Sequence, residues 1–384
     1  MKNVYLRLMN LDKLKNGQIP IQVIDKIETL KELSIRLNSV KEFSFDTEFD
    51  RFKRGYGFKL LLLQIFDGEI CFLIDTVLIN DLRPLWHVFE NEQIAKVVYS
   101  GREDVDLLKR TGCNPGNVFD VQIAAILCDR SEKSFSKLLK SEFGIELDKS
   151  MQTSDWIKRP LAFEQLIYAS NDVIHLLSLK AILENEAGER NVSDFIRAEN
   201  LILELSTTKD FAPKLSKKQL RVFSEYHQTK LLELFMVRDR IARTMNVPPF
   251  HIVSDAHLED IIKDPAAFLE RPFSKGFSRR AIAADHYKND FFEIIHAIDG
   301  AIDWIPTKEQ KDASREPGFD KIKRNELLNL RYHPFKSEMV KRYGENAAEF
   351  IVGGLSQKLG VQTIDFTEWK QYQVDLYLEV IGLQ

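Results

Sequence analysis

The segment FSFDTEFD, residues 43–50, places acidic side chains inside a strongly apolar stretch. Its phenylalanines predict a buried β-strand. Side chains two positions apart on a strand project from the same face, so Asp46 and Glu48 should point together, roughly 7 Å apart at the backbone, with Phe45 and Thr47 facing the other way. Neighbouring carboxylates repel each other, and a bound Mg²⁺ or Mn²⁺ ion would reverse that cost. We therefore expect a metal site on this strand.

The composition places the chain among folded globular proteins. Its 384 residues are enough for two or three domains, and 44% hydrophobic residues support well-formed cores. The net charge of -4 gives no overall sign of nucleic-acid binding, so any such function must rest on local patches.

The cysteines and the hydropathy pattern indicate a cytoplasmic protein. Cys71, Cys113 and Cys128 are odd in number and far apart, which excludes a paired disulfide framework and fits a reducing compartment. The first residues lack the apolar core of a signal peptide, and no later run approaches the ~20 apolar residues of a membrane span. We expect no membrane association.

Short apolar runs alternate with helical patterns between residues 21 and 120, which predicts an α/β layout with a mixed sheet. The Asp67-Gly68 turn predicts a hairpin, so part of the sheet should be antiparallel. The predicted strands are residues 21–24, 42–49, 59–66, 69–75 and 94–100. The predicted helices are residues 26–37, 81–91 and 102–111.

Helical patterns dominate after residue 120, at 121–128, 134–143 and 161–187, and again from about residue 207 to the end. They predict two small all-α modules behind the α/β domain. The expected boundaries are an N-terminal extension at 1–20, the α/β domain at 21–205, one helical module at 211–296 and a second at 297–384.

Two further acids stand out by their context. Asp104 follows a strand that turns through Gly101 into a helix, where sites commonly form at strand ends. Asp172 lies four residues after Tyr168, so both side chains share one helical face and can reach one ligand. Taken alone, Asp104 also fits an ordinary first-turn acid and Asp172 an ordinary solvated residue.

These residues together resemble a known family. FDTEF, SGREDVDLL and YASND resemble the three exonuclease motifs of the DEDD superfamily, in the subclass with a tyrosine four residues before the last aspartate. The surrounding segments FDTEFDR, LLLQIFDG and SDWIKRPLAFEQLIYASNDVIHLL resemble ribonuclease D. The resemblance covers about residues 21–190, and it implies a ribonuclease H-like α/β fold and 3′-5′ exonuclease activity.

The resemblance also implies a catalytic mechanism with two divalent metal ions, Mg²⁺ or Mn²⁺. The residues implied as metal ligands are Asp46, Glu48, Asp104 and Asp172. Tyr168 is better suited to orienting the nucleophilic water than to acting as a strong base, because an unperturbed phenol has a pKa near ~10. The sister subclass has a histidine at the position of Ile167. Asp120, Gln122 and residues 156–160 match segments around the family's site, with their roles left open.

Substrate contacts are expected just downstream of the first motif. In residues 50–59, DRFKRGYGFK, basic side chains are interleaved with aromatic ones, a pattern that can hold phosphates and stack bases of a single strand. The candidates are Arg51, Arg54 and Tyr56, together with Gln64 on the following strand. The other interpretation is a surface hairpin whose cations are merely solvated.

Residues 214–255 resemble an HRDC domain, the helical module that certain helicases share with ribonuclease D. Between residues 214 and 243 there are eight Lys or Arg against three Asp or Glu. Such a patch can grip phosphates without reading sequence, and it can equally be a solvated bundle face. The last module is similar to a degenerate second HRDC repeat.

The expected function is a metal-dependent 3′-5′ exoribonuclease that releases nucleoside monophosphates from RNA 3′ ends, with tRNA precursors as the expected partner. Nothing in the motifs senses a 2′-hydroxyl, so a DNA 3′-5′ exonuclease is the nearest alternative. A non-catalytic nucleic-acid-binding scaffold is disfavoured because all four acids and Tyr168 are present. A helicase is disfavoured because no GxxxxGK[ST] loop occurs.

Overall fold

The computed structural model describes most of the chain, in the ranges 15–17, 19–148, 150–208, 211–273, 276–298, 326, 328–353 and 370–382. It divides into two compact units. The sheet unit comprises Met1–Glu48, Leu60–Thr208 and Phe319–Gln384. The helical unit comprises Phe49–Lys59 and Lys209–Gly318. The predicted extension at 1–20 falls almost wholly outside the described residues.

A mixed seven-stranded sheet forms the centre of the sheet unit, in the order β1-β2-β5-β4-β3-β6-β7. β2 and β5 pair in parallel, as do β3 and β6, whereas β4 and β5 pair antiparallel across the Asp67-Gly68 turn as predicted. The strands are β1 Lys15–Asn16, β2 Ile19–Ile24, β3 Glu42–Arg51, β4 Phe58–Phe66, β5 Cys71–Ile74, β6 Ala95–Val98 and β7 Val118–Asp120.

Helices cover the sheet, as the sequence pattern predicts. The helix Arg83–Phe89 begins with a proline in its first turn, and the helix Val121–Leu127 is capped by the Asp120 side chain. The helices of this part are α1 Ile27–Leu37, α2 Arg83–Phe89, α3 Arg102–Arg110, α4 Val121–Leu127, α5 Phe135–Phe143, α6 Phe163–Ile174, α7 Leu176–Glu189 and α8 Ser193–Leu205.

The long helix predicted over 161–187 is two helices, α6 and α7, which meet at His175, where φ is -102° and ψ is -10°. By length and composition alone, the run Phe163–Glu189 would be apolar enough to cross a membrane. Its apolar side chains instead pack into the cores on the sheet, as Val173 and Leu179 do. This is how a core helix of a globular domain behaves.

The helical unit has its own apolar core, centred on the helix Glu225–Met245 and including Leu231, Leu234 and Phe291. Ser216 and Ser224 cap α9 and α10 by accepting hydrogen bonds from backbone N–H groups. The helices are α9 Lys217–Val222, α10 Glu225–Met245, α11 Asp255–Lys263, α12 Pro265–Glu270 and α13 Asp285–His296, with a short 3₁₀ turn at Pro249–His251.

The described C-terminal helices pack on the sheet unit. Phe335 and Tyr377 are fully buried in the same apolar cluster as residues of α4 and α7. Asp129 accepts a hydrogen bond of 2.7 Å from the Asn346 backbone N–H, at the start of a C-terminal helix. These helices are α14 His333–Tyr343, α15 Glu345–Ile351 and α16 Gln371–Val380. Much of the predicted second HRDC-like module, including 299–325 and 354–369, lies outside the described residues.

Candidate active site

Strand β3 separates an apolar face from a polar face, as its alternation predicts. On one face, the Phe43 and Phe45 rings meet Phe89 edge-on, with ring centroids 5.1 and 5.3 Å apart. On the other face, the Ser44 hydroxyl donates a 2.8 Å hydrogen bond to the Val173 carbonyl of α6. Since side chains two apart share a face, Ser44 is followed by Asp46 and Glu48 on the side of the sheet that α6 covers.

Three of the predicted metal ligands come together. One carboxylate oxygen from each of Asp46, Glu48 and Asp172 lies within 4.8 Å of the other two. Tyr168 joins these three in lining a cavity of about 360 Å³. Asp46 and Glu48 of β3 are more than 100 positions in sequence from Tyr168 and Asp172 of α6, so folding brings these four residues together.

Asp104, the fourth predicted ligand, lies beside this cluster but outside the group of three. It is buried in the first turn of α3. The Thr47 hydroxyl donates a hydrogen bond to its carboxylate. The alternation of β3 had placed Thr47 with the apolar side chains, so the prediction missed this contact, which links the motif strand directly to the Asp104 carboxylate.

Burial and mutual repulsion disfavour simultaneous ionisation of Asp46, Asp104 and Asp172. Burial, followed by the charges of Asp104, Asp172 and Glu48, raises the pKa of Asp46 well above its usual value. Burial also raises the pKa of Asp104 to about 6 and the pKa of Asp172 to about 7. No Lys or Arg is among the described residues that line the cavity. This set of oxygen donors in need of positive charge fits a hard divalent cation.

Tyr168 is held as a neutral phenol. Burial first, and then the neighbouring negative charges, raise its pKa far above the ordinary value, and its hydroxyl hydrogen-bonds the Asp172 carboxylate. Its ring packs against Trp156, with centroids 6.0 Å apart. Trp156 belongs to the segment whose role the sequence left open, and the Arg159 guanidinium ties that segment to Leu61 and Asp75 with 2.9 Å hydrogen bonds.

Asp120 organises the turn that leads into the Asp104 helix. Its carboxylate is buried and accepts hydrogen bonds of 2.9 Å from the backbone N–H groups of both Ser100 and Gly101. Ser100 has a φ of +53°, a conformation uncommon outside glycine. A Cβ at Gly101 would lie 2.3 Å from the Val98 side chain, so only glycine fits there. The aspartate before a predicted helix was the one signal in the sequence for this role.

Two aromatic side chains that were not among the predicted site residues, Tyr99 and Phe135, also line the cavity. The Tyr99 and Phe135 rings lie 5.2 Å apart between centroids, inclined at 41°. The Gln122 side-chain amide donates a 3.1 Å hydrogen bond to the Tyr99 hydroxyl. The cavity lining therefore includes both carboxylates and aromatic rings, and aromatic rings can stack on a nucleotide base.

The predicted substrate residues of the hairpin lie in the helical unit. The Tyr56 hydroxyl donates a 2.6 Å hydrogen bond to Asp239, and the Arg243 guanidinium stacks over the Tyr56 ring at 5.1 Å. Arg51 and Arg54 are exposed, and the Arg51 guanidinium lies 5.0 Å from the centroid of the Phe58 ring. Tyr56 is therefore engaged in packing within this unit.

Gln64, the fourth predicted substrate residue, is fully buried in β4. Its amide is closed to a substrate in this structure.

Comparisons with known proteins agree with this geometry. A family model described as 3′-5′ exonuclease matches residues 21–187, and an HRDC domain model matches residues 228–265. The chain therefore carries a 3′-5′ exonuclease domain followed by an HRDC domain.

Two curated relatives are both named ribonuclease D. Ribonuclease D of Nitrobacter hamburgensis is 28% identical over 275 residues, which cover 68% of this chain and 72% of the relative. Ribonuclease D of Escherichia coli K12 is 36% identical over 170 residues, covering 43% of this chain and 45% of the relative. The crystal structure of Escherichia coli RNase D, at 24% identity, has a TM-score of 0.66 and covers 94% of this chain and 99% of that chain. The chain is therefore similar in sequence to ribonuclease D proteins and in fold to the Escherichia coli RNase D structure.

Proposed function

We propose that this protein is a metal-dependent 3′-5′ exoribonuclease that removes nucleoside monophosphates one at a time from RNA 3′ ends. The observation that carries the proposal is the convergence of Asp46, Glu48 and Asp172 within 4.8 Å beside Tyr168. These are the residues of the three motifs, in a chain that is similar to ribonuclease D.

Asp46, Glu48 and Asp172 are the residues that would hold divalent cations, with Asp104 beside them. We propose two ions, Mg²⁺ or Mn²⁺. When bound, they supply Lewis acidity at the scissile phosphate and lower the pKa of the attacking water. The raised pKa values of the acids support the assignment, because carboxylates that are costly to ionise alone bind a cation readily.

Tyr168 orients the attacking water. Its neutral hydroxyl can donate one hydrogen bond and accept another, and the contact with Asp172 fixes where it points. A phenol whose pKa is raised cannot serve as a strong base at neutral pH. The aromatic pair Tyr99 and Phe135, which lines the same cavity, offers the terminal base a stacking surface.

The physiological substrate and the compartment follow from the same assignment. We propose tRNA precursors and other structured RNAs with a free 3′ end as substrates. The solved Escherichia coli relative is described as an exoribonuclease involved in structured RNA processing. We propose a cytoplasmic location, because Cys71, Cys113 and Cys128 are all free thiols buried in the fold, as a reducing compartment allows.

The test is digestion of a 5′-labelled RNA of about 20 nucleotides beside a circularised RNA, a matched DNA strand and a 3′-extended tRNA precursor. The proposal expects a ladder that shortens by one nucleotide at a time, no cut in the circle, and no reaction with EDTA. Internal cuts in the circle would contradict exonuclease action. Faster shortening of DNA than of RNA would establish the DNA exonuclease alternative instead.

A further inference from the structure

A second cavity, of about 450 Å³, lies entirely within the helical unit. Residues of the hairpin 49–59 form one wall of this cavity. Residues 211–213 and the 3₁₀ turn Pro249–His251 also contribute to its lining. It is separate from the carboxylate cavity, with which it shares no lining residue.

The hairpin wall is held in place by side chains fitted to it. The Tyr56 backbone N–H donates a 3.2 Å hydrogen bond to the Asn246 side chain, in addition to the contacts of its hydroxyl and ring. Gly57 has a φ of +80°, and a Cβ there would lie 3.3 Å from the Phe211 ring. The wall is therefore preorganised, which lowers the entropic cost of binding a ligand.

Two phenylalanines that line this cavity are unusual, one in its solvent exposure and the other in its backbone conformation. Phe250 is 56% exposed, although a ring of that size is normally buried. Phe52 has a φ of +51°, which for a bulky residue is a strained conformation that only its surroundings maintain. Its ring meets Phe211 edge-on at 5.0 Å. Strained and exposed aromatic side chains around one cavity are typical of a ligand site.

Two guanidinium groups and two carboxylates line this cavity. Arg238 is 8% exposed, and its Nε has no hydrogen-bond partner in the described part of the chain. The exposed Arg51 contributes a second guanidinium to the lining. Both carboxylates have partners: Asp255 pairs with Arg238, and Asp239 pairs with Arg243 and accepts a hydrogen bond from the Tyr56 hydroxyl.

We propose that this cavity binds a base of single-stranded RNA, stacked on Phe250 and Phe52, with an adjacent phosphate near Arg51. The inference rests on the proposed exoribonuclease function, which supplies RNA as the ligand. Aromatic faces stack any base, and a guanidinium holds a phosphate as a point of attachment, so the site is a sequence-tolerant grip on the strand. It gives the HRDC-bearing unit a direct role in substrate binding.

The experiment measures RNA affinity by fluorescence anisotropy with EDTA present, so that hydrolysis plays no part. The probes are a labelled 20-nucleotide RNA and an abasic strand of the same length, which keeps the phosphates and lacks the bases. The variants are Phe250→Ala and, as a control, Met236→Ala, an equally exposed apolar residue of α10 outside the cavity lining.

The proposal expects Phe250→Ala to weaken binding of the base-bearing strand by about tenfold, the usual size when one stacking ring is removed. It expects no change for the abasic strand and none for Met236→Ala. Equal losses on both strands, or no loss on either, would overturn it. The proposed nuclease function has its own readout, the metal-dependent ladder, so a failure of one can be told from a failure of the other.

A 4-thiouridine crosslink gives a second readout that does not depend on a substitution. Irradiated RNA should attach to peptides that contain Phe52 or Phe250, and competitor RNA should remove these adducts. Crosslinks confined to peptides elsewhere in the chain would contradict the assignment of the cavity.

Discussion

At the scale of single residues, the site buries carboxylates whose ionisation is unfavourable unless a cation compensates their negative charge. Asp46, Asp104 and Asp172 all have raised pKa values because the fold buries them close together. Such an arrangement costs stability when no cation is present. The acids are therefore better explained by ligand binding than by folding.

Tyr168→Phe removes one hydroxyl that lies beside the metal ligands. We expect kcat to fall by about 100-fold, the ordinary size for loss of a group that positions a proton or a water. Affinity for Mn²⁺ should change by less than about twofold, because Asp46, Glu48 and Asp172 remain. Single-turnover rates and metal titrations measure the two quantities. A large loss of metal affinity would mean that the phenol acts as a ligand.

Asp172→Asn should stabilise the metal-free protein at high pH. A carboxyl with a pKa of about 7 in the folded state and about 4 in the unfolded state binds more protons when folded, so its contribution to stability falls as pH rises between these values. We expect the variant to gain on the order of 1–2 kcal/mol at pH 8 and almost nothing at pH 4.5. Urea denaturation in EDTA at both pH values measures this. An equal effect at both would contradict the raised pKa.

At the scale of elements, the turn between β6 and α3 fixes the position of Asp104. Asp120→Asn keeps the size of the side chain but removes one of the two oxygens that accept the Ser100 and Gly101 N–H groups. We expect about tenfold weaker Mn²⁺ binding, because the helix that carries Asp104 loses its anchor. Asp106→Asn, on the same helix and paired with Arg110 at the surface, is the matched control. Equal behaviour of the two variants would refute this role of Asp120.

The elements of the site region were largely predictable from the sequence, because their signals are local. Alternation on β3 predicted the shared face of Asp46 and Glu48, and the i, i+4 spacing predicted that Tyr168 and Asp172 share one helical face, where the structure joins them by a hydrogen bond. The Thr47 contact with Asp104 was missed because it depends on how close α3 lies to β3, which only the tertiary packing decides. The break at His175 has no signal in the sequence that we can identify.

At the scale of the whole molecule, the C-terminal helices complete the core of the sheet unit. The sequence predicted a helical module there from its own pattern, and it could not indicate which surface those helices bury. Phe335, Met339 and Tyr377 are fully buried in one cluster with α4 and α7. Glu199 of α8 also accepts hydrogen bonds from Lys370 and Tyr372.

Phe335→Ala should therefore destabilise the sheet unit by about 3–5 kcal/mol, the usual cost of emptying a buried phenylalanine site. Leu330→Ala, at a position that is 64% exposed, should change stability by less than about 0.5 kcal/mol. Thermal unfolding followed through RNA hydrolysis at rising temperature measures the effect at the site itself. If both variants lost activity at the same temperature as the wild type, the C-terminal helices would not support the catalytic core.

RNA hydrolysis is proposed to depend on divalent cations held by the acid cluster of Asp46, Glu48 and Asp172. Counting bound Mn²⁺ by electron paramagnetic resonance, in the wild type and in Asp46→Asn, tests it most directly, with circular dichroism to show that the variant is folded. We expect up to two tightly bound Mn²⁺ ions in the wild type, at least tenfold weaker Mn²⁺ binding in Asp46→Asn, and a parallel loss of RNA shortening in that variant. Tight Mn²⁺ binding by a folded Asp46→Asn, or RNA shortening by the wild type in EDTA, would contradict it.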